Sequence, residues 1–152
     1  MSANSPLYDT DFYAWANEQA ALLRAGNLSA ADLENIAEEI ESMGKGEKRE
    51  LVNRLAVLLL HLLKWQFQNE KRSKSWQVTI RAQRTQIARH LAENPSLKAR
   101  LRQAMLEAYS DATLEAERET ELPETTFPAK CPYSFENAMQ SGFWPGPPDA
   151  DR

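Results

Sequence analysis

The sequence has 152 residues, 18 of them basic and 22 acidic, for a formal charge of −4. That length suits one domain, and a hydrophobic share of 42% is enough for a core, which argues against a disordered chain. A single cysteine, Cys131, excludes an internal disulfide and any zinc site built on two or more thiolates, and fits a reducing compartment.

Met1-Ser2-Ala3-Asn4-Ser5-Pro6 has neither a basic nor an apolar leader segment, so no signal peptide is expected and the chain is read as cytoplasmic. The longest apolar stretch, Leu55 to Leu63, is interrupted by His61. It falls short of the roughly 20 residues a membrane-spanning helix needs, so no membrane partner is expected. Six of the eight prolines lie at or after Pro123, which leaves the preceding chain nearly free of breakers and favours long helices. Charge is laid out unevenly, with −6 over residues 1–50, +9 over 51–105 and −7 over 106–152.

The first helix is predicted over about 9–25, capped by Asp9 or Thr10, with Phe12, Trp15, Ala16, Gln19, Leu22 and Leu23 on one face. Gly26 suits a left-handed stop. Ser29 is read as the N-cap of a second helix with the stripe Leu33, Ile36, Ala37 and Ile40. Gly44 ends it, and Gly44-Lys45-Gly46 reads as a hinge. The third helix, about 47–68, is nearly encircled by leucines and should be the most buried. A basic turn, Lys71-Arg72-Ser73-Lys74, leads to a fourth helix carrying Trp76, Ile80, Gln83, Ile87 and Leu91 on one face. Asn94-Pro95 stops it and opens a fifth, with an alanine-rich second half that permits close helix contact. After Pro123 comes an irregular arm with a short helical stretch at about 134–140, and Phe143 and Trp144 are placed to pin it back. The fold class is all-α, an up-and-down bundle of about five helices in a single domain 1–152, with its core over about 7–144 and frayed ends at 1–6 and 146–152.

Glu34, Glu38 and Glu41 share a strip about 60° wide on the second helix. Carboxylates so aligned can ligate metal, but a di-iron bundle also needs Glu-x-x-His pairs, and the chain has none. A flank of salt bridges with Arg72, Arg81 or Arg84 is the simpler reading. His61, set among leucines, is expected to be largely buried and to need a partner. Glu38 or Glu41 supplies one if the second and third helices form an antiparallel hairpin. That arrangement is either a catalytic or metal-binding pair, or a histidine that fixes helix register. His90, near a helix end, reads as a surface residue, and Cys131 as an inert thiol. Phosphate-loop, dinucleotide, nucleophile-elbow and zinc-hydrolase motifs are all absent from the sequence. The basic block gathers Lys64, Lys71, Arg72, Lys74, Arg81, Arg84 and Arg89, with Trp65, Phe67 and Trp76 interleaved. Such a mixture can grip phosphates and stack on bases. Most carboxylates flank it, so internal pairing is the leading reading, ahead of an acidic protein partner or nucleic acid.

Tyr8-Asp9-Thr10-Asp11-Phe12-Tyr13-Ala14-Trp15-Ala16, Ile36-Ala37-Glu38-Glu39-Ile40-Glu41-Ser42-Met43-Gly44 and His61-Leu62-Leu63-Lys64-Trp65 together resemble a bacterial family catalogued as "domain of unknown function 29". Ser75-Trp76, Arg84, Asn94-Pro95-Ser96-Leu97 and Cys131-Pro132-Tyr133 extend the resemblance over about residues 7–144. It implies an all-helical single domain and brings no activity or cofactor with it. The leading expectation is a small binding or regulatory module rather than an enzyme, partnered by an unidentified protein or a second copy of itself. Its partner- or anion-binding candidates are Lys64, Trp65, Arg72, Trp76 and Arg84. Two alternatives stand beside it. One is a small enzyme or metal-binding protein using His61 with Glu38 or Glu41. The other is nucleic-acid binding through residues 64–89.

Overall fold

The structure, a computed structural model, describes residues 5–148, and every regular element in that span is helical. The helices are α1 (Leu7–Thr10), α2 (Phe12–Arg24), α3 (Leu33–Phe67), α4 (Lys74–Glu93), α5 (Leu101–Thr120) and α6 (Phe135–Met139). Short 3-10 turns lie at Asn69–Lys71, Pro95–Arg100 and Glu124–Thr126. None of the helices is long and apolar enough to cross a membrane. The chain divides into two compact units, Met1–Gly46 and Glu47–Arg152, and α3 begins in the first and ends in the second.

The largest departure from the sequence expectation is α3, which absorbs both the second and third predicted helices. Gly44-Lys45-Gly46 is not a hinge. Two interior glycines cost roughly 1 kcal/mol each relative to alanine. Breaking the helix there would instead create two new ends, each with about four unpaired backbone groups. The surrounding glutamates, lysines and leucines are good helix formers, so continuity wins. Neither glycine has the positive φ of a helix stop, which Gly26 alone of the described glycines adopts.

In the first unit, the cap of α2 is Asp11, whose side chain accepts from the Ala14 amide at 3.1 Å. The expected cap at Asp9 or Thr10 instead falls within α1. Asp32, not Ser29, stands immediately before α3 and is fully buried. Its Oδ2 accepts from the Ser5 amide (3.3 Å), the Trp15 indole (3.1 Å) and the Asn35 amide group (2.7 Å), while its own N–H donates to Gln19 (2.7 Å). Burial pushes the Asp32 carboxyl up, but the hydrogen bonds from Asn35, Trp15 and Ser5 outweigh it and hold it below the usual carboxylate range. Tyr8, Phe12 and Trp15 stack around this network.

In the second unit, Leu51, Leu55, Leu58, Leu59, Leu62 and Leu63 of α3 are fully buried with Ile80 and Ile87 of α4. Each such side chain contributes on the order of 1.5–3 kcal/mol. His90 of α4 meets Glu47, and Gln86 meets Arg54, so the register runs antiparallel from α3 to α4. Ala104, Ala108, Ala112 and Ala116 form a buried stripe at intervals of four on α5, the close-contact surface its composition predicts. The fifth helix starts later than expected. Pro95 opens the 3-10 turn Pro95–Arg100, and the α-helix proper begins at Leu101.

The arm after Pro123 is packed. Phe127, Tyr133 and Ala138 are buried, and Phe143 and Trp144 rest against the same core. Phe67 meets Phe127 edge-on, Tyr133 meets Phe143, and Trp65 lies 4.8 Å from Trp144 between ring centres.

Candidate functional site

The hairpin that would bring Glu38 or Glu41 to His61 does not form, because all three residues lie on one continuous helix. Glu38 and Glu41 are exposed in the first unit, where Glu39 is the acidic residue engaged, accepting from the Tyr8 hydroxyl at 2.5 Å. His61 is half-buried, and its Nδ1 lies 2.8 Å from the Val57 carbonyl one turn back on its own helix. Burial holds the His61 imidazole below its ordinary pKa. Consecutive residues on a helix point about 100° apart, so a histidine within a run of leucines sits beside the apolar face rather than in it.

Most of the basic and aromatic candidates gather where the arm returns to the helices. Arg84 is only 6% exposed, at intervals of four and three from Ile80 and Ile87 on the apolar stripe of α4. Its guanidinium donates to three arm carbonyls, from Nε to Ala138 (2.8 Å) and from the terminal nitrogens to Ser141 (3.4 Å) and Phe143 (2.7 Å). It also lies over the Trp144 ring at 5.1 Å. Burial pulls its pKa down from the usual guanidinium value. Arg72 repeats the arrangement, donating to the Trp65 carbonyl at 2.8 Å and the Pro145 carbonyl at 3.1 Å while covering the Trp65 ring. Lys64 pairs with Glu119 at 2.8 Å and covers Trp76. Lys64, Trp65, Arg72, Trp76 and Arg84 thus make internal contacts, and two of the three cations spend their donors on backbone carbonyls rather than carboxylates.

The exposed cations are others. Lys74, Arg81 and Arg89 lie on the outer face of α4 with Val78 and Thr85 between them, all five exposed. At 100° per residue they occupy a strip about 80° wide with no carboxylate in it. None of the three cations has an ion-pair partner among the described residues. Lys64–Glu119 is the ion pair that joins the basic block to the acidic third block; Arg54–Glu50 and Arg118–Glu115 lie within single helical turns.

His90 reverses its expectation. It is 5% exposed and faces α3 from the edge of the apolar stripe. Its Nε2 lies 2.9 Å from the Glu47 backbone carbonyl, and its Nδ1 is 3.6 Å from both Glu47 Oε2 and Glu50 Oε2. These three are the one group of carboxylates and imidazole among the described residues close enough together to share a metal ion. A cavity of about 180 Å³ opens beside them, lined also by Arg54, Gln86, Arg89 and Glu93. Arg54 donates to Glu50 Oε1 at 2.7 Å and 3.0 Å and holds the Glu50 carboxyl below its usual range. Sequence reading missed this cluster, since its members are 43 residues apart and only the α3–α4 register joins them.

A second concavity, about 620 Å³, lies between α5 and the arm, lined by Met105, Leu106, Tyr109, Cys131 and Tyr133 among others. Burial pushes the Cys131 thiol up and outweighs a backbone hydrogen bond with Tyr133, so the thiol is a poor nucleophile there.

No curated protein and no solved structure matches the chain. The family model "Domain of unknown function DUF29" matches residues 7–144. That span takes in both the network around Asp32 and the arm held by Arg84, and the chain belongs to this family of unknown function.

Proposed function

We propose that the chain is a protein-binding module of the bacterial cytoplasm whose docking surface is the outer face of α4. The observation that carries this reading is the strip Lys74, Val78, Arg81, Thr85 and Arg89, exposed throughout and free of carboxylates. A strip of three cations around one valine suits a partner helix presenting carboxylates beside apolar side chains. Nucleic acid is the weaker occupant. The aromatic residues that would stack on bases, Trp65 and Trp76, are covered by Arg72 and Lys64. The chain itself carries a face of the favoured kind. Leu106, Glu107, Asp111 and Leu114 are exposed together on α5, so a second copy is one source of the partner.

The test uses the full chain and two probes, a labelled peptide with the sequence of residues 101–121 and a thymidine oligonucleotide, each followed by fluorescence anisotropy at low and physiological salt. Exposed charge pairs contribute about 0.2–1 kcal/mol each. Reversing all three cations (K74E/R81E/R89E) should therefore weaken peptide binding about tenfold or more, and salt should weaken it as well. Absence of peptide binding, or oligonucleotide binding through the same three cations in its place, overturns the reading.

A further inference from the structure

We propose that Glu47, Glu50 and His90 form a site for one divalent transition-metal ion of the zinc class at the α3–α4 seam, where Arg89 of the exposed α4 strip also lines the adjoining cavity. The histidine sets the geometry of the cluster. Its Nε2 lies 2.9 Å from a backbone carbonyl, which can only accept, so the proton belongs on Nε2. In neutral imidazole the Nδ1 lone pair then faces two carboxylate oxygens, both 3.6 Å away. Asn94 Nδ2 approaches Glu47 Oε2 only at 3.5 Å, the outer limit of a hydrogen bond, so three weakly satisfied acceptors turn toward one point and repel unless a cation stands between them.

A proton on Nδ1 could serve only one of the two oxygens, and at 3.6 Å either contact is longer than a hydrogen bond. A metal ion satisfies all three at once. Ligand atoms at about 2.0–2.1 Å from a tetrahedral zinc lie about 3.4 Å from one another. Both nitrogen–oxygen separations already come close to that spacing, and all three donor atoms lie within 4.8 Å of one another.

The surroundings match what a metal-bound histidine requires. The carbonyl on Nε2 fixes the tautomer and aims Nδ1, the role an outer contact plays at metal-binding histidines. Arg54 occupies Glu50 Oε1 and leaves Oε2 toward the histidine. His90 is buried, so its ring is held in place before any ion arrives. One imidazole and two carboxylates form a borderline donor set suited to zinc, cobalt or manganese more than to magnesium or calcium. The adjoining cavity of about 180 Å³ leaves room for a water in the remaining position.

Chelator-stripped full-length protein titrated calorimetrically with Zn²⁺ tests the site. One equivalent should bind, with affinity falling tenfold or more in Glu47→Gln and in His90→Ala. Glu47 is exposed, so its substitution keeps the test valid if loss of the buried histidine prevents folding. His61→Ala and Cys131→Ser should bind as the parent does. No stoichiometric binding by the parent, binding that survives Glu47→Gln, or binding lost with His61 or Cys131 overturns the assignment.

Discussion

Arg84 is a polar residue whose removal the structure makes costly. Its side chain bridges α4 to the returning arm through two short, charge-assisted hydrogen bonds, to Ala138 (2.8 Å) and Phe143 (2.7 Å), and a long third to Ser141 (3.4 Å). Hydrogen bonds to a charged group contribute about 1.5–3 kcal/mol each. The two short ones therefore supply about 3–6 kcal/mol, against which stands the cost of burying the guanidinium. Arg84→Met keeps the stem and removes the charge, so the desolvation cost is recovered while the carbonyls lose their donors. The expected net loss is about 2–4 kcal/mol. For a chain of this length, about 3 °C of melting temperature accompanies each kcal/mol. The midpoint should drop by about 6–12 °C in a circular-dichroism melt.

Arg84→Lys separates charge from geometry. A lysine ammonium is a single point and cannot present the planar fork that reaches carbonyls three and five residues apart. At least half the destabilisation should remain in this variant. Hydrogen exchange at residues 135–145 should accelerate in both variants, more than at the fully buried leucines of α3. A midpoint within 2 °C of the parent, with arm exchange unchanged, would show that the arm is held by its aromatic contacts alone and that the account given of Arg84 is wrong.

A Cβ added at Gly44 or Gly46 meets nothing within 4 Å, and neither residue has positive φ, so Gly44→Ala and Gly46→Ala should each stabilise by about 0.5–1 kcal/mol. Destabilisation in urea melts would mean the glycines are needed for something other than helix. Stability should also fall with acid in two steps. His61 has a depressed pKa, so the unfolded chain binds the extra proton first, and stability drops as pH falls below about 6.5. Asp32, also depressed, contributes stability above its unfolded value near 3.9 that is lost as pH falls through its lower folded value. His61→Gln should flatten the first step and Asp32→Asn the second, read from urea midpoints across pH 3–7; an unchanged profile in both variants counts against the assignments.

How much of this was legible in the sequence depends on the range of the interaction concerned. Helix positions and the alanine stripe of α5 depend on neighbours three and four residues apart, and periodicity reveals them. At Gly44-Lys45-Gly46 the local glycine penalties point to a hinge, but the cost of opening two helix ends is larger and keeps the helix continuous. The linear run of leucines around His61 suggests the core, whereas the rotation of the helix sets His61 to one side, half-buried. Arg84 carried a usable signal, since Ile80, Arg84, Ile87 and Leu91 recur at intervals of four, three and four, and all are buried. A cation in such a stripe needs buried acceptors, and the irregular arm offers carbonyls outside regular helical pairing. The Glu47–Glu50–His90 cluster had no local signal at all.

The charge blocks gain a different meaning from these placements. Internal neutralisation would have set the +9 of residues 51–105 against the acidic flanks. Arg54 and Lys64 do pair with flank carboxylates, Glu50 and Glu119, but Arg72 and Arg84 turn toward carbonyls of the arm. Lys74, Arg81 and Arg89 are left on one exposed strip. An arm with few regular hydrogen bonds needs donors that reach several carbonyls at once, and arginine meets that need better than any other side chain. Part of the basic block is therefore the consequence of closing an irregular arm over an α-helical core. The strip on α4 is a part that is free to face a partner, and it is there that substitutions should change binding without changing stability.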